Sequence, residues 1–132
     1  MIVTTDIGSI LYKDCEVFGL DIFQMGNVPQ GDVTIERIAI LPKPQVPGVY
    51  WNTCLVDVNL YVPDAEPNTA NLLRLKELER HAFRVLNDVI SSYDGTTYCY
   101  SIDSISIEAD TALKCHYVNC RIMFKVLNLE LC

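Results

Sequence analysis

Cys115, His116 and Cys120 bring three potential metal ligands into one short segment, CHYVNC. A structural zinc needs four such ligands converging at about 2.0–2.3 Å. On an extended strand, Cys115 and His116 project to opposite faces, and so do Cys115 and Cys120. The spacing therefore favours core cysteine and a histidine at a strand end over a metal centre. His81 follows Glu77 by one helical turn, which predicts a solvent-facing Glu–His pair. The surrounding ELERH holds one histidine, so it is not the two-histidine metalloprotease motif.

Other chemistries fare no better. No cysteine lies in a basic setting or at a helix N-terminus that would lower its pKa, so a Cys/His nucleophile is not indicated. With 17 acidic residues in the chain, pairs of carboxylates discriminate nothing. The chain contains no GxxxxGK[ST], GxGxxG or GxSxG. The expectation is a protein without catalytic residues, cofactor or metal.

What stands out instead is alternation. In Cys115 to Asn128, His116, Val118, Cys120, Ile122, Phe124 and Val126 share one face of a strand, and Tyr117, Asn119, Arg121 and Lys125 share the other. Trp51 to Val62 repeats the pattern. Cys54, Val56, Val58, Leu60 and Val62 point inward, with Thr53, Asp57, Asn59 and Tyr61 outward. Aromatic rings beside short polar and charged groups have the composition of a protein–protein contact. Asp57, Asn59, Tyr61, Tyr117, Asn119, Arg121 and Lys125 are the predicted interface between copies. Reversing the charge at Arg121 is accordingly expected to weaken assembly and spare stability.

The elements that would position these faces follow from periodicity. Thr5 or Asp6 caps a first helix running to about Phe18, with Gly19 suited to end it. Leu20 to Met25 suggests a short strand, and Gly26 to Asp32 a loop. Val33 to Leu41 reads as a strand apolar on both faces. Pro42 to Gly48, with three prolines, reads as an extended hairpin connection rather than regular strand. Asn68 or Thr69 caps a long helix ending near Ser91 or Ser92, whose stripe is Leu72, Leu75, Leu78, Ala82, Val85, Leu86 and Val89. Asp94-Gly95 turns the chain into a strand from Tyr98 to Glu108. Its apolar face changes parity, which a bulge near Asp103 and Ser104 would reconcile. The expected fold is α+β, an antiparallel β-sheet with an N-terminal helix and one long central helix packed on one face.

Composition sets the outer bounds. At 132 residues, half apolar and one fifth charged, the chain suits one domain over residues 1–132 with its own core. A net charge of −7 argues against coating duplex nucleic acid or an anionic membrane. The N-terminus lacks the basic-then-apolar pattern of a secretory signal, and no apolar run reaches a membrane span. Six scattered cysteines without tight spacing suggest reduced thiols rather than a disulfide framework.

Four segments taken in order resemble the phage tail terminator and tail-completion family of neck proteins. They are the N-terminal helix, TIERIAILPKP (Thr34 to Pro44), TCLVDVNLYV (Thr53 to Val62), and the helix LLRLKELERHAFRVL followed by a strand pair ending in CHYVNCRIMFKVLN. The acidic, cysteine-rich composition departs from that pattern. The resemblance implies a non-enzymatic subunit of a phage or prophage tail, self-associating into a ring, commonly a hexamer. Such a ring caps the tail tube, joins it to the head, and touches tube and head-completion proteins. It implies a place in the virion tail, reached from the bacterial cytoplasm during assembly. Pro42 to Gly48 and Gly26 to Asp32 are the loops it would send to the tube or a neighbour. A different neck, connector or tube subunit, and a monomeric α+β domain binding a ligand or peptide, are the alternatives.

Overall fold

A computed structural model describes residues 1–128. Its centre is one curled six-stranded sheet in the order β1-β2-β3-β6-β5-β4. The strands are β1 (Asp21–Gln24), β2 (Arg37–Val46), β3 (Trp51–Pro63), β4 (Val89–Tyr93), β5 (Thr96–Asp110) and β6 (Cys115–Leu127). Two short helices, α1 (Thr4–Cys15) and α2 (Leu72–Val85), pack on one face.

This architecture differs from the expected α+β fold with one long central helix. The chain is mostly β, a half-barrel-like sheet, and the described residues hold two short helices and no long central one. Nor is the sheet wholly antiparallel, because β1 runs parallel to β2, pairing Asp21 with Arg37 and Gln24 with Ile40. The central helix spans 14 residues and is capped by Asn71, whose side chain accepts from the Arg74 N–H. It stops well before Ser91. Asp88 takes a left-handed φ of 54°, and Asn87 turns its side-chain carbonyl to the Ile102 N–H. Val89 and the residues after it pair with β5 instead of completing the helical stripe. Leu72, at the other end of that stripe, is exposed, while Leu75, Leu78, Ala82 and Leu86 are buried.

Other boundaries shift for local reasons. The first helix is followed by a 3-10 turn, Glu16–Phe18, and Gly19 ends it at φ 70°, where a Cβ would be strained. The helix starts earlier than expected, with Val3 at the N-cap position, and Asp6 lies inside the first turn, where it accepts from the Val3 N–H. Val33 to Glu36 is not strand. The strand begins at Arg37 and continues through Pro42 and Pro44, against the expectation of a broken connection. The irregularity the prolines impose lies between Pro42 and Gln45, past the reach of β1 and on an open edge where no partner needs their missing donors. In β5, the register slips between Ile102 and Ser104, leaving Asp103 as the extra residue of a bulge. Ile102 and Ile105 thereby face the same side, opposite Ile122 and Cys120.

The two faces of the sheet are buried differently. The helix-covered face holds the main core, with Val56, Val58, Leu60, Val118, Ile122 and Phe124 meeting Ile7, Leu11, Leu75 and Leu78. Tyr98, Tyr100 and Phe124 stack within it. The other face carries a smaller cluster of Val33, Ala39, Tyr61 and Cys115, with Val28 and Tyr117 beside it. Part of the segment between β1 and β2 therefore lies over a surface that alternation alone leaves open.

Candidate interaction surface

The β3–β6 register aligns the predicted contact residues in cross-strand pairs. Asp57 faces Arg121, Asn59 faces Asn119, Tyr61 faces Tyr117, and Lys125 stands opposite Thr53. All seven share the face away from the helices, because residues directly opposite in an antiparallel ladder point the same way.

The pairs bond to each other. The Arg121 guanidinium donates to Asp57 through Nε at 3.0 Å and Nη2 at 3.4 Å, and the Lys43 ammonium lies 3.4 Å from the same carboxylate. Burial pushes the Asp57 carboxyl up. Arg121, Asn119 and Lys43 more than offset that, holding it below the ordinary carboxylate range. Asn119 donates to the Asn59 carbonyl at 2.7 Å, and Asn59 donates in turn to the Tyr61 hydroxyl at 3.4 Å. The Tyr61 and Tyr117 rings lie 5.0 Å apart. Arg37 closes the row, with its guanidinium 5.5 Å from the centre of Tyr61 and one nitrogen donating to the Pro29 carbonyl.

This bonding alters what the surface can do. Asp57, Asn59 and Tyr61 are buried within the single chain, so they support the neighbouring strand and cannot touch a partner directly. Tyr117, Asn119 and Arg121 are half-buried, and Lys125 is exposed. Charge reversal at Arg121 is therefore now expected to cost stability as well, since a glutamate there would face Asp57. Lys125 is the clean probe of this face.

The residues singled out for chemistry separate. Cys115 sits in the small cluster and Cys120 in the main core, on opposite faces. His116 pairs with Asp64 through Nδ1 at 2.7 Å. His81 does not form the expected solvent pair with Glu77. Its ring lies 4.6 Å from that of Phe18, joining α2 to the end of α1. Glu77 pairs with Arg74, which also grips Glu36 with Nε and Nη2. Burial pushes the Cys15 and Cys120 thiols up to about 12, and Cys115 to about 11. Such thiols make poor nucleophiles. Among the described residues, no group of three or more His, Cys, Asp or Glu is placed to hold a metal ion, and no helix is long and apolar enough to cross a membrane.

Sequence reasoning missed two exposed apolar groups. The hairpin between β2 and β3 carries Val46, Val49 and Tyr50 at its tip, with Val49 71% and Tyr50 67% exposed. The start of α2 exposes Leu72 and Leu73 at 65% and 70%. Leu72 belongs to the apolar stripe, so only the packing reveals it, whereas Leu73 lies at helical spacing from Lys76, Glu77 and Arg80, a signal that could have placed it on the open face.

No family model matches this chain, and no curated protein matches it. A solved structure whose name states no function is 10% identical, covers 96% of both chains and superposes with a TM-score of 0.59. At that identity the likeness is one of fold.

Proposed function

We propose that this protein is a non-enzymatic structural subunit that assembles head to tail into a ring, as a tail-capping neck protein of a phage or prophage does. One observation carries the reading: each copy exposes two different apolar surfaces at opposite ends of β3. The hairpin tip, with Val46, Val49 and Tyr50, precedes Trp51, and Leu72 and Leu73 follow soon after Pro63. The 13-residue β3, at most about 40 Å long at roughly 3.3 Å per residue, runs between the hairpin and the segment that leads to α2. Two unlike, complementary surfaces are what a closed heterologous ring requires, whereas a two-fold contact needs only one. Exposed large apolar side chains grouped at such sites mark contact surfaces on soluble proteins. The order of helix and strand segments that resembles the neck-protein family supports the tail assignment, with the tube and head-completion proteins as partners.

The test is assembly. Light scattering across concentration, followed by negative-stain imaging, should show closed rings that Tyr50→Asp or Leu73→Asp disperses while the melting temperature stays within a few degrees. A wild-type chain without rings, or rings indifferent to both changes, refutes the reading.

A further inference from the structure

The two edges of the sheet are guarded unequally. Beyond β1, the β2 edge carries Pro42, Lys43 and Pro44, the residue types that blunt an edge against further pairing. At the other side, β4 covers only Thr96 to Tyr100 of β5. Asn87 and Asp88 then reach across to Ile102 and Ser101. From Asp103 to Ala109, the described residues place no strand on the outer side of β5. Along this segment, about 20 Å long at roughly 3.3 Å per residue, the backbone groups that point away from β6 have no strand partner among the described residues. Ile107 is 40% exposed, and Ser104, Ser106 and Glu108 are exposed too.

We propose that this open edge of β5 pairs with the same edge of a second copy, antiparallel about a two-fold axis at Ser106. Residues directly opposite in such a pair share a face, so the axis must pass through a residue and not between two. Centred on Ser106, Ile105 meets Ile107 twice and Ser104 meets Glu108, and the pairing stops short of the bulge at Asp103. No two like charges stand opposite one another, and both isoleucines gain an apolar cross-strand neighbour. The partner's covered stretch, Thr96 to Tyr100, then falls beyond the end of β5, so its β4 does not compete for the open segment. The β2 edge is a poorer mate, since its prolines cannot donate to the ladder. This contact is separate from the ring proposed above: it closes after two copies and uses neither the hairpin tip nor Leu72 and Leu73.

Crosslinking tests it. Across the axis, the two Ser106 Cα atoms would lie about 4.5–5.5 Å apart, inside the roughly 4.4–6.8 Å range of disulfides. Two Ser104 Cα atoms would lie roughly 13 Å apart along the strands. Under mild oxidation, Ser106→Cys should give a covalent dimer well above the wild-type background, and Ser104→Cys should not. Ser106→Lys, which sets two ammonium groups against each other, should keep the fold by circular dichroism and halve the mass of the wild-type assembly in light scattering, whether the edge joins two chains or two rings. A chain that stays monomeric at hundreds of micromolar overturns the proposal, as does equal crosslinking at both serines. Rings that persist in Ser106→Lys leave the assembly reading standing while the edge pairing is tested alone.

Discussion

Asp57 shows how one side chain changes the meaning of its face. By alternation it is an outward polar residue, one of several that a partner could meet. In the folded chain it is buried and held by Arg121, Lys43 and Asn119, so it anchors β3 to β6. Its carboxyl titrates below the ordinary range in the folded state. The stabilisation it provides is therefore complete above the unfolded carboxylate pKa, near 4, and is lost as pH falls through the lower folded value. Asp57→Asn should lower the melting temperature at about pH 7, with the gap to wild type closing towards about pH 2. A gap that stays constant over that range would show that the ion pair is not its source. The thiols give a second test at this scale. Cys15, Cys54, Cys115 and Cys120 are buried, and burial raises each pKa, so a thiol-alkylating reagent near neutral pH should leave them unmodified until the protein is denatured. Mass spectrometry of the native protein reads this directly, and rapid alkylation of Cys120 would contradict the core assignment.

Among the elements, α2 and the strands around it separate what is packed from what is merely apolar. Leu78→Ala should destabilise the fold by about 2–5 kcal/mol, as a large side chain removed from a dense core. Leu73→Ala should change stability by no more than about 0.5 kcal/mol, because Leu73 packs against little. Chemical denaturation of both variants checks the contrast, and equal costs would mean that α2 is rotated from its described position. The sequence carried the alternating faces of β3 and β6, the stop of the first helical segment at Gly19, and the bulge at Asp103, because each is set by neighbours a few residues away. The end of α2 was misread although its signal was present. Asn87-Asp88 are turn formers, and Val89 to Tyr93 and Thr96 to Tyr100 flank Asp94-Gly95, a dipeptide that favours tight hairpins. The helical stripe simply ran on into that hairpin by coincidence of spacing. The parallel pairing of β1, and the folding of Val28 and Val33 over Tyr61, depend on contacts between distant segments and left no periodic trace. For that reason the predicted contact surface proved half-occupied by its own chain.

At the scale of the whole molecule, the account rests on a sheet with a covered face, a partly covered face and exposed apolar groups at its ends. A chain of net charge −7 repels its own copies, so any association must overcome that repulsion and should tighten as salt is added. Lys125→Glu makes each copy more acidic at an exposed site and should weaken assembly at low salt while leaving the melting temperature unchanged. Static light scattering at low and moderate ionic strength reads this, and a loss of assembly that added salt does not restore would contradict the charge-repulsion argument. The most direct measurement is the mass of the purified chain across concentration, paired with images of the same sample. Discrete closed rings of a fixed number of copies are the expected result. A chain that remains monomeric, or that stops at a dimer, contradicts it.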